Sequence, residues 1–581
     1  MKKLMLGNEA AARGLYEAGC SFVSSYPGTP STEITEYAAK YSEIYAEWAP
    51  NEKVAMESAF GACLTGARTF CGMKHVGMNV AADPMFTMSY TGVNGGMIIG
   101  VSDDPGMHSS QNEQDSRHYA VAAKLPMLEP SDSEEALEFT KRAFEISERF
   151  DTPVILKLCT RISHSQSIVE TSERIMPDRK PYVKDPAKYI MAPANAKKRH
   201  PFVEDRTKAL TAFAEESDLN RIESGSNHRY GFITSSTSYQ YVKEVFGDLY
   251  PVLKLGMIYP MPVEKMKAFA ASVQEVIIVE ELDSFIEKQC RDIGISCRGK
   301  ELFGCIDELS QNIIREKLGV ARPESRIFSE QMPARPPIMC AGCPHRGLFY
   351  VLKKLKLTVL GDIGCYTLGS AAPLFALDTC ICMGASVSSL HGFNKSTDNE
   401  FSKKTVAVIG DSTFMHSGIT GLVNASYNES NSTVIILDNS ITGMTGHQQN
   451  PTTGYNLKGD PCTKIDLEAL CRAVGVPEEN VRVVDPYDMA QCEKVLREEL
   501  AKDALSVVIS RRPCALLKYV KHPGPISCDT SRCVGCKSCM RIGCPAISIV
   551  NGKARIDATL CTGCGVCEQM CHFDALGKKD N

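Results

Sequence analysis

Cysteine is the residue that most constrains this chain. The sequence has 25 cysteines in 581 residues, and nine of them lie between residues 528 and 571. Cysteines grouped at short fixed spacings indicate metal or iron–sulfur ligation more often than packing. Two further pairs stand at Cys340 and Cys343 and at Cys380 and Cys382. The isolated cysteines are expected to be small buried apolar side chains.

The remaining composition is that of a globular cytoplasmic protein. The N-terminal residues lack an apolar stretch of signal-peptide length, and no run of about 18 apolar residues predicts a membrane segment. In the reducing cytoplasm we do not expect the cysteines to form disulfides. The formal net charge is −5, which gives no case for a nucleic-acid partner.

Alternating helical and strand-like patterns predict an α/β fold of several domains. Buried parallel strands are expected at 22–25, 96–101 and 153–159, with a helix over 133–149. The predicted organisation is a doubly wound domain (1–171), a charged extended connector with one helix near 206–216 (172–227), a second α/β domain (228–320), a linker (321–338), a third α/β domain (339–520) and the cysteine-rich tail (521–581).

Polar residues follow two neighbouring apolar strands of the third domain. One strand ends in Gly410-Asp411-Ser412, and the next ends in Asp438-Asn439-Ser440-Ile441. Ligands of parallel sheets bind at the carboxyl ends of the strands. The spacing matches the Gly-Asp-Gly … Asn-Asn signature of thiamine diphosphate enzymes, with serine at the third position. Carboxylate, amide and carbonyl oxygens from Asp411, Asn439 and Ile441 suit the Mg²⁺ that a diphosphate needs. Two ordinary loop turns are the alternative.

Thiamine catalysis also needs a carboxyl group beside the aminopyrimidine ring. Glu52 begins a predicted helix, and Gly61-Ala62 follows it nine residues on, as in thiamine enzymes. Glu57 lies on the same helix without that spacing. The alternative for either residue is a glutamate on a solvated helix face.

The tail contains two cysteine runs. The first is Cys533-x2-Cys536-x2-Cys539-x4-Cys544-Pro, and the second is Cys561-x2-Cys564-x2-Cys567-x3-Cys571. Both resemble the bacterial two-cluster ferredoxin pattern, in which the fourth cysteine of each run binds the other cluster. The resemblance implies one [4Fe–4S] cluster on Cys533, Cys536, Cys539 and Cys571, and another on Cys561, Cys564, Cys567 and Cys544. The sequence departs from this pattern in its x4 spacing and in having His572 in place of proline. Cys528 is not assigned to either cluster. Zinc knuckles are the alternative interpretation.

Taken together, these motifs resemble the 2-oxoacid:ferredoxin oxidoreductases, and most of all the α subunits of their indolepyruvate branch, over essentially the whole chain. Residues 26–32, Tyr-Pro-Gly-Thr-Pro-Ser-Thr, look like the motif that opens the family's pyrimidine-binding domain. Residues 361–369 and 378–386 are similar to parts of its diphosphate-binding domain. The resemblance makes residues 228–320 a transketolase-C-terminal-like domain.

The resemblance also implies further site residues. Thr29 is implied in substrate contact. Residues 108–118 resemble the segment that supplies a substrate-carboxylate arginine, so Arg117 is the candidate, although the local pattern departs from the pyruvate enzymes. Cys340, Cys343, Cys365 and Cys514 match the four ligands of a proximal [4Fe–4S] cluster beside the thiamine; a zinc site or unpaired thiols are the alternatives.

The implied reaction converts an aryl 2-oxoacid such as indolepyruvate, CoA and oxidised ferredoxin into acyl-CoA, CO₂ and reduced ferredoxin. The implied cofactors are thiamine diphosphate, Mg²⁺ and three [4Fe–4S] clusters. The family's γ-type domain has no counterpart here, so we expect a smaller β subunit carrying it, an (αβ)₂ assembly and an external ferredoxin. The alternatives are another 2-oxoacid:ferredoxin oxidoreductase, a non-oxidative thiamine decarboxylase with a ferredoxin-like tail, or an electron-transfer subunit without an active site.

Overall fold

A computed structural model describes residues 1–324 and 329–578. The chain divides into two compact units, Met1–Phe328 and Ser329–Asn581. No helix among the described residues combines the length and the apolar character that a membrane crossing requires.

The first unit contains both the predicted first and second domains. Its strands are β1 (Lys2–Leu6), β2 (Phe22–Ser25), β3 (Tyr45–Trp48), β4 (Thr69–Lys74), β5 (Met97–Asp103), β6 (Met127–Leu128), β7 (Val154–Cys159), β8 (Gln166–Glu170), β9 (Asn220–Glu223), β10 (Tyr230–Thr234), β11 (Val252–Leu255), β12 (Met257–Tyr259), β13 (Glu275–Val279) and β14 (Cys297–Arg298). Its helices are α1 (Gly7–Glu17), α2 (Thr32–Ala38), α3 (Glu52–Leu64), α4 (His75–Thr91), α5 (Arg117–Ala123), α6 (Ser133–Phe150), α7 (Thr160–His164), α8 (Pro186–Tyr189), α9 (Pro193–Glu216), α10 (Ser236–Phe246), α11 (Val263–Ala271), α12 (Phe285–Asp292), α13 (Lys300–Phe303) and α14 (Gln311–Lys317).

Two sheets organise this unit. The seven-stranded sheet has the order β12-β6-β7-β5-β4-β2-β3 and is parallel except for β12, while β14-β13-β10-β11-β9 form the second sheet with β9 antiparallel. The apolar strands predicted at 22–25, 96–101 and 153–159 are β2, β5 and β7, and β5 and β7 are buried along their whole length. Strands buried on both faces need helices on each side, which gives the α/β architecture expected from the sequence.

The predicted extended connector is largely structured. Helix α9 begins at Pro193, well before the helix expected at 206–216, and β9 is the edge strand of the second sheet. Proline at the first helical position suits the missing backbone donor there. Buried Val203, Leu210 and Ala214 give α9 an apolar face that its charged sequence conceals.

Buried ion pairs hold the two sheets together. Lys157 on β7 pairs with Glu129 at 2.6 Å, and the hydroxyl of Ser235, just before α10, donates to the same carboxylate at 2.6 Å. Arg117 pairs with Glu280 at the end of β13 at 2.7 Å. Buried charges are tolerated only when paired and hydrogen-bonded, so these contacts fix one arrangement of the sheets.

The second unit contains a six-stranded sheet and the cysteine-rich tail. Its strands are β15 (Thr358–Gly361), β16 (Thr379–Cys380), β17 (Thr405–Gly410), β18 (Thr433–Asp438), β19 (Val481–Val484), β20 (Ser506–Arg511), β21 (Ser527–Cys528), β22 (Ile547–Val550), β23 (Lys553–Ile556) and β24 (Leu576–Gly577). Its helices are α15 (His345–Lys354), α16 (Ala385–Lys395), α17 (Asn399–Ser402), α18 (Asp411–Thr413), α19 (Ile419–Tyr427), α20 (Leu467–Ala473) and α21 (Met489–Leu500).

The large sheet of this unit is parallel throughout. Its order is β16-β15-β17-β18-β20-β19, so the carboxyl ends of β17, β18 and β20 lie side by side at one edge. The tail carries two antiparallel pairs, β21-β24 and β22-β23. The parallel order therefore brings the predicted magnesium ligands and the segment of Cys514 to one place.

One buried acid in the first unit gives a pH-dependent stability. Burial, with the neighbouring Glu308, raises the pKa of Glu281 to about 7, although the Leu309 N–H donates to both of its oxygens at 3.2 and 3.1 Å. Because the folded pKa exceeds the ordinary value of 4.5, the contribution of Glu281 to stability is complete below about pH 4.5 and is lost as pH rises towards 7.

We therefore expect Glu281→Gln to stabilise the protein at pH 8, by up to about 3 kcal/mol, and to have little effect at pH 5. Anaerobic scanning calorimetry at the two pH values measures the difference in melting midpoint. Glu301→Gln, which alters an exposed acid on the nearby helix α13, is the control. Equal shifts at both pH values in Glu281→Gln would contradict the assignment.

Candidate active site and metal centres

Glu52 is buried at the start of helix α3. It is 5% exposed, and the Asn51 side chain caps the helix by accepting from the Val54 N–H at 2.9 Å. A methyl group on Gly77, in the first turn of α4, would lie 2.7 Å from Glu52 Oε1, so only glycine permits this approach. Glu57 is exposed and pairs with Lys53 on the helix surface. Glu52, and not Glu57, thus has the buried position that a cofactor-binding carboxyl requires.

Lys74 lies beside the Thr29 loop, and the sequence analysis missed it. Thr29 is half-buried between β2 and α2, and a methyl on neighbouring Gly28 would lie 2.9 Å from Lys74 Cβ. Lys74 is 8% exposed, and its ammonium donates to the Ser109 carbonyl at 2.5 Å. Burial lowers its pKa to about 8. The only signal in the sequence is a Lys-His pair at the end of an apolar strand.

Arg117 has a different environment from the one predicted. Its guanidinium is 2% exposed, and it donates to Asp115, to Glu280 at 2.7 Å and to the carbonyls of Glu281 and Asp283 at 2.8 and 3.2 Å. A guanidinium whose N–H groups already donate to acceptors of its own chain has no free edge for a substrate carboxylate. The geometry therefore makes Arg117 part of the ion pairs between the sheets and disfavours its predicted role as a substrate ligand.

The predicted magnesium ligands meet at the ends of β17 and β18. The Asn439 side-chain amide lies 3.1 Å from Asp411 Oδ1 and 2.7 Å from the Ile441 carbonyl oxygen. When the amide nitrogen faces these two oxygens, it donates a hydrogen bond to each of them. When the amide is rotated by 180°, its own oxygen takes that place, and three oxygens lie together. Gly410 precedes Asp411, and Ser412 accepts from the Thr442 hydroxyl at 2.9 Å. Three hard oxygens that converge on one point fit a divalent cation.

Two residues that the sequence analysis missed orient Asp411. Thr452 Oγ1 donates to Asp411 Oδ2 at 2.9 Å, and Asn450 Nδ2 donates to the same oxygen at 3.2 Å. Burial and the nearby charge of Asp438 raise the pKa of Asp411 to about 7. A buried carboxyl in this state gains from a cation, which is a further reason why the residues fit Mg²⁺.

The four cysteines of the predicted proximal cluster surround the same sheet edge. Charge repulsion from Cys514 and Cys340 adds to burial in raising the pKa of Cys365 to about 11, and Cys340 and Cys365 act likewise on Cys343. The Cys514 N–H donates to the Asn439 carbonyl at 2.9 Å. A methyl on Gly443 would lie 3.3 Å from Cys365 Sγ and 3.8 Å from Asn439 Nδ2. Cys365 and Cys514 thus lie beside Asn439, one of the predicted magnesium ligands.

The tail cysteines line two separate cavities in the predicted sets. Cys544, Cys561, Cys564 and Cys567 line one, together with Cys343 and Arg346. The other is lined by Cys533, Cys536, Cys539 and Cys571, and also by Cys528. The crossing of the fourth cysteine between runs is therefore present in the structure. Cys528, left unassigned by the sequence analysis, borders the second cavity because β21 pairs with β24 next to Cys571.

The sulfur spacing distinguishes clusters from zinc. Tetrahedral zinc with Zn–S bonds near 2.3 Å brings its sulfurs to about 3.8 Å from one another. Throughout residues 1–324 and 329–578, no three cysteine sulfurs lie within 4.8 Å of one another. Cysteines that surround a cavity at wider spacing leave room for a four-iron core.

Comparison with known proteins agrees with this geometry. Residues 13–224 match the family described as pyruvate flavodoxin/ferredoxin oxidoreductase, thiamine diP-bdg. Residues 362–510 match the thiamine pyrophosphate enzyme, C-terminal TPP binding domain, and residues 554–576 match the 4Fe-4S binding domain. These matches confirm the predicted thiamine-binding and ferredoxin-like domains.

Full-length relatives decide the family. The chain is 39% identical to the indolepyruvate oxidoreductase subunit IorA of Archaeoglobus fulgidus over 99% of this chain and 97% of that protein. The IorA proteins of Methanothermobacter thermautotrophicus and Pyrococcus horikoshii are 38% and 39% identical with the same coverage. The chain belongs to the IorA family. A solved 2-oxoglutarate:ferredoxin oxidoreductase from Magnetococcus marinus aligns with a TM-score of 0.47 and 17% identity, covering 55% of this chain and 65% of that one.

The cysteine geometry of this IorA-family chain gives a direct test. We expect Cys514→Ser to lose about four irons per chain of about twelve, because it removes one ligand of the cluster nearest Asn439 and leaves the two tail cavities intact. Iron and acid-labile sulfide are measured after anaerobic purification. Cys492→Ser, which replaces a buried cysteine of helix α21 outside the three sets, should keep all of its iron. An unchanged iron content in Cys514→Ser would show that the proximal set is wrong.

Proposed function

We propose that the chain is the thiamine-diphosphate-dependent subunit of an indolepyruvate ferredoxin oxidoreductase. The reaction converts indolepyruvate or a related arylpyruvate and CoA into aryl-acyl-CoA and CO₂, and two electrons pass to ferredoxin one at a time. The observation that carries the proposal is the meeting of Asp411, Asn439 and Cys514 at one sheet edge. The names of the full-length relatives support the arylpyruvate substrate.

Each cofactor has proposed ligands. Asp411, Asn439 and the Ile441 carbonyl bind Mg²⁺ and, through it, the diphosphate, with Gly410 and Ser412 beside them. Glu52 hydrogen-bonds the aminopyrimidine ring and moves a proton there. Bound thiamine diphosphate supplies the carbon nucleophile and the electron sink for decarboxylation. The three [4Fe–4S] clusters bind the cysteine sets Cys340, Cys343, Cys365 and Cys514; Cys544, Cys561, Cys564 and Cys567; and Cys533, Cys536, Cys539 and Cys571.

We also propose the partners that the resemblance implies. A smaller β subunit supplies the γ-type domain, the two subunits form an (αβ)₂ assembly, and an external ferredoxin takes the electrons. A non-oxidative decarboxylase is the second candidate, and it has no use for cysteines beside the cofactor. The contact between the Cys514 N–H and the Asn439 carbonyl therefore favours the oxidative reaction.

The function is tested by anaerobic assay of CoA-dependent ferredoxin reduction with indolepyruvate, phenylpyruvate, 4-hydroxyphenylpyruvate, pyruvate and 2-oxoglutarate. We expect the arylpyruvates to be preferred and Glu52→Gln to lower kcat by at least about a hundredfold with iron content unchanged, since proton transfer contributes about 10²–10⁴-fold. Glu57→Gln on the same helix is the matched control and should retain activity. CO₂ release without ferredoxin reduction would identify the decarboxylase instead.

We propose Lys74, with Thr29, as the substrate-carboxylate contact in place of Arg117. The Ser109 carbonyl that accepts from Lys74 belongs to the same 108–118 segment from which the resemblance drew Arg117. The Lys74 ammonium has one hydrogen-bond acceptor among the described residues, and an ammonium has three donors. Its lowered pKa leaves it mostly charged at pH 7.

Lys74→Met should raise the KM for the arylpyruvate about tenfold to a hundredfold, because a hydrogen bond to a charged group contributes about 1.5–3 kcal/mol. In the unaltered enzyme the KM should also rise above about pH 8, as Lys74 loses its proton. Lys53→Met, an exposed lysine that pairs with Glu57, is the control. A Lys74→Met variant with an unchanged KM and an unchanged pH profile would return the role to another residue.

A further inference from the structure

Arg346 is a buried cation in the second unit. It lies in the first turn of helix α15, three residues after Cys343, and is 4% exposed. A positive charge is unfavourable at a helix N-terminus, where the backbone N–H groups already point outwards. Neither burial nor the helix therefore explains why an arginine stands there.

The guanidinium joins two cysteine-bearing loops. It donates to the carbonyls of Met339 and Cys340 on one side, the latter at 3.0 Å. On the other side it donates to the carbonyls of Ile542 and Gly543 at 3.0 and 2.5 Å. These two loops precede Cys343 and Cys544. One side chain thus ties a segment of the proximal set to a segment of a tail set.

The surroundings of Arg346 contain sulfur where a carboxylate would be expected. All four backbone partners are neutral, and in the part of the chain that the structure describes no carboxylate forms an ion pair with the guanidinium. The guanidinium is bonded to the Cys340 carbonyl, and Arg346 lines the same cavity as Cys343, Cys544 and Cys564. Burying a cation without a countercharge is unfavourable.

We propose that Arg346 is the shared counter-ion of two iron–sulfur clusters, the one on Cys340, Cys343, Cys365 and Cys514 and the one on Cys544, Cys561, Cys564 and Cys567. This inference rests on the proposed cluster ligands. Thiolate-bound clusters carry net negative charge, which increases on reduction, so the buried guanidinium stabilises the reduced state of both. Arg346 is a positioning residue, because its bonds are to backbone carbonyls and not to iron or sulfur.

The four-residue loop of the first tail run supplies two of the carbonyls that accept from Arg346. Gly543 is part of the four-residue loop between Cys539 and Cys544, and its φ of +66° is in the left-handed region that favours glycine. A methyl group there would lie 2.6 Å from Pro373 Cδ. The longer loop thus directs its Ile542 and Gly543 carbonyls towards Arg346.

A second contact at the same junction provides a control without charge. The Tyr487 hydroxyl donates to the Gly342 carbonyl at 2.5 Å, and a methyl on Gly342 would lie 2.3 Å from Thr562 Oγ1, between Cys561 and Cys564. Tyr487→Phe removes this hydrogen bond and leaves the charge at Arg346 in place. Any effect of simply loosening the junction will appear in this variant.

The test is an EPR-monitored redox titration of the anaerobic holoenzyme and the variants Arg346→Gln, Arg346→Lys and Tyr487→Phe, with iron counted in each. We expect Arg346→Gln to keep its iron while the midpoint potentials of two of the three clusters become more negative. The cluster on Cys533, Cys536, Cys539 and Cys571 should keep its potential. Arg346→Lys and Tyr487→Phe should stay close to the unaltered enzyme at all three clusters.

Each other outcome overturns the inference. Three unchanged potentials in Arg346→Gln would remove the counter-ion role, and equal shifts in Tyr487→Phe would assign the effect to packing. If Arg346→Gln loses iron, the iron content of Arg346→Lys must equal that of the unaltered enzyme. If Arg346→Lys loses iron as well, Arg346 serves only to hold the two loops together. An unaltered enzyme without about twelve irons, or Cys514→Ser without a loss of four, would instead refute the proposed ligands.

Discussion

The parallel order of the sheet in the second unit is the constraint on which the candidate site depends. Strands β17, β18 and β20 are neighbours that run in the same direction, so their polar carboxyl ends open at one edge. Asp411, Asn439 and Cys514 follow these three strands one after another. A cation site and an iron–sulfur site can therefore adjoin without long loops, because the distance between them is set by the strand spacing of about 4.8 Å. The hydrogen-bonded order of the strands would thus place the proposed cofactor site and the proposed proximal cluster next to each other.

Features encoded locally could be predicted from the sequence. The apolar strands, the polar residues at their ends and the cysteine runs each depend on a short segment, and the structure has them where the patterns indicate. The start of α9 was not predicted, because its charged residues hide an apolar face that only packing against the first unit's core reveals. Strand β9 was missed because four residues with two charges carry no alternating pattern. Neither element has a local signal strong enough to outweigh its composition.

The points at which the geometry of the candidate site departs from the sequence analysis have a common cause. The resemblance of residues 108–118 made Arg117 the candidate, but its guanidinium already donates to Asp115 and Glu280, and Glu280 is 163 residues away in sequence. Lys74, Asn450 and Thr452 were missed because their partners, Ser109 and Asp411, are distant along the chain. A side chain's chemical type can be read from sequence, whereas its availability depends on which partners the fold brings to it.

Buried charge has opposite uses in the two units. In the first unit, Lys157 and Arg117 meet carboxylates of this chain, so their charges are balanced within the polypeptide and fix the two sheets. In the second unit, Asp411 is hydrogen-bonded by neutral Thr452 and Asn450, and the partners of Arg346 among the described residues are backbone carbonyls. Asp411 is a buried carboxyl that forms no ion pair with any residue the structure describes, and Arg346 lines a cavity together with cysteines. Charges that the polypeptide leaves unbalanced are those that a bound ion or cluster can balance, so the binding of such a group would be thermodynamically coupled to the folding of this unit.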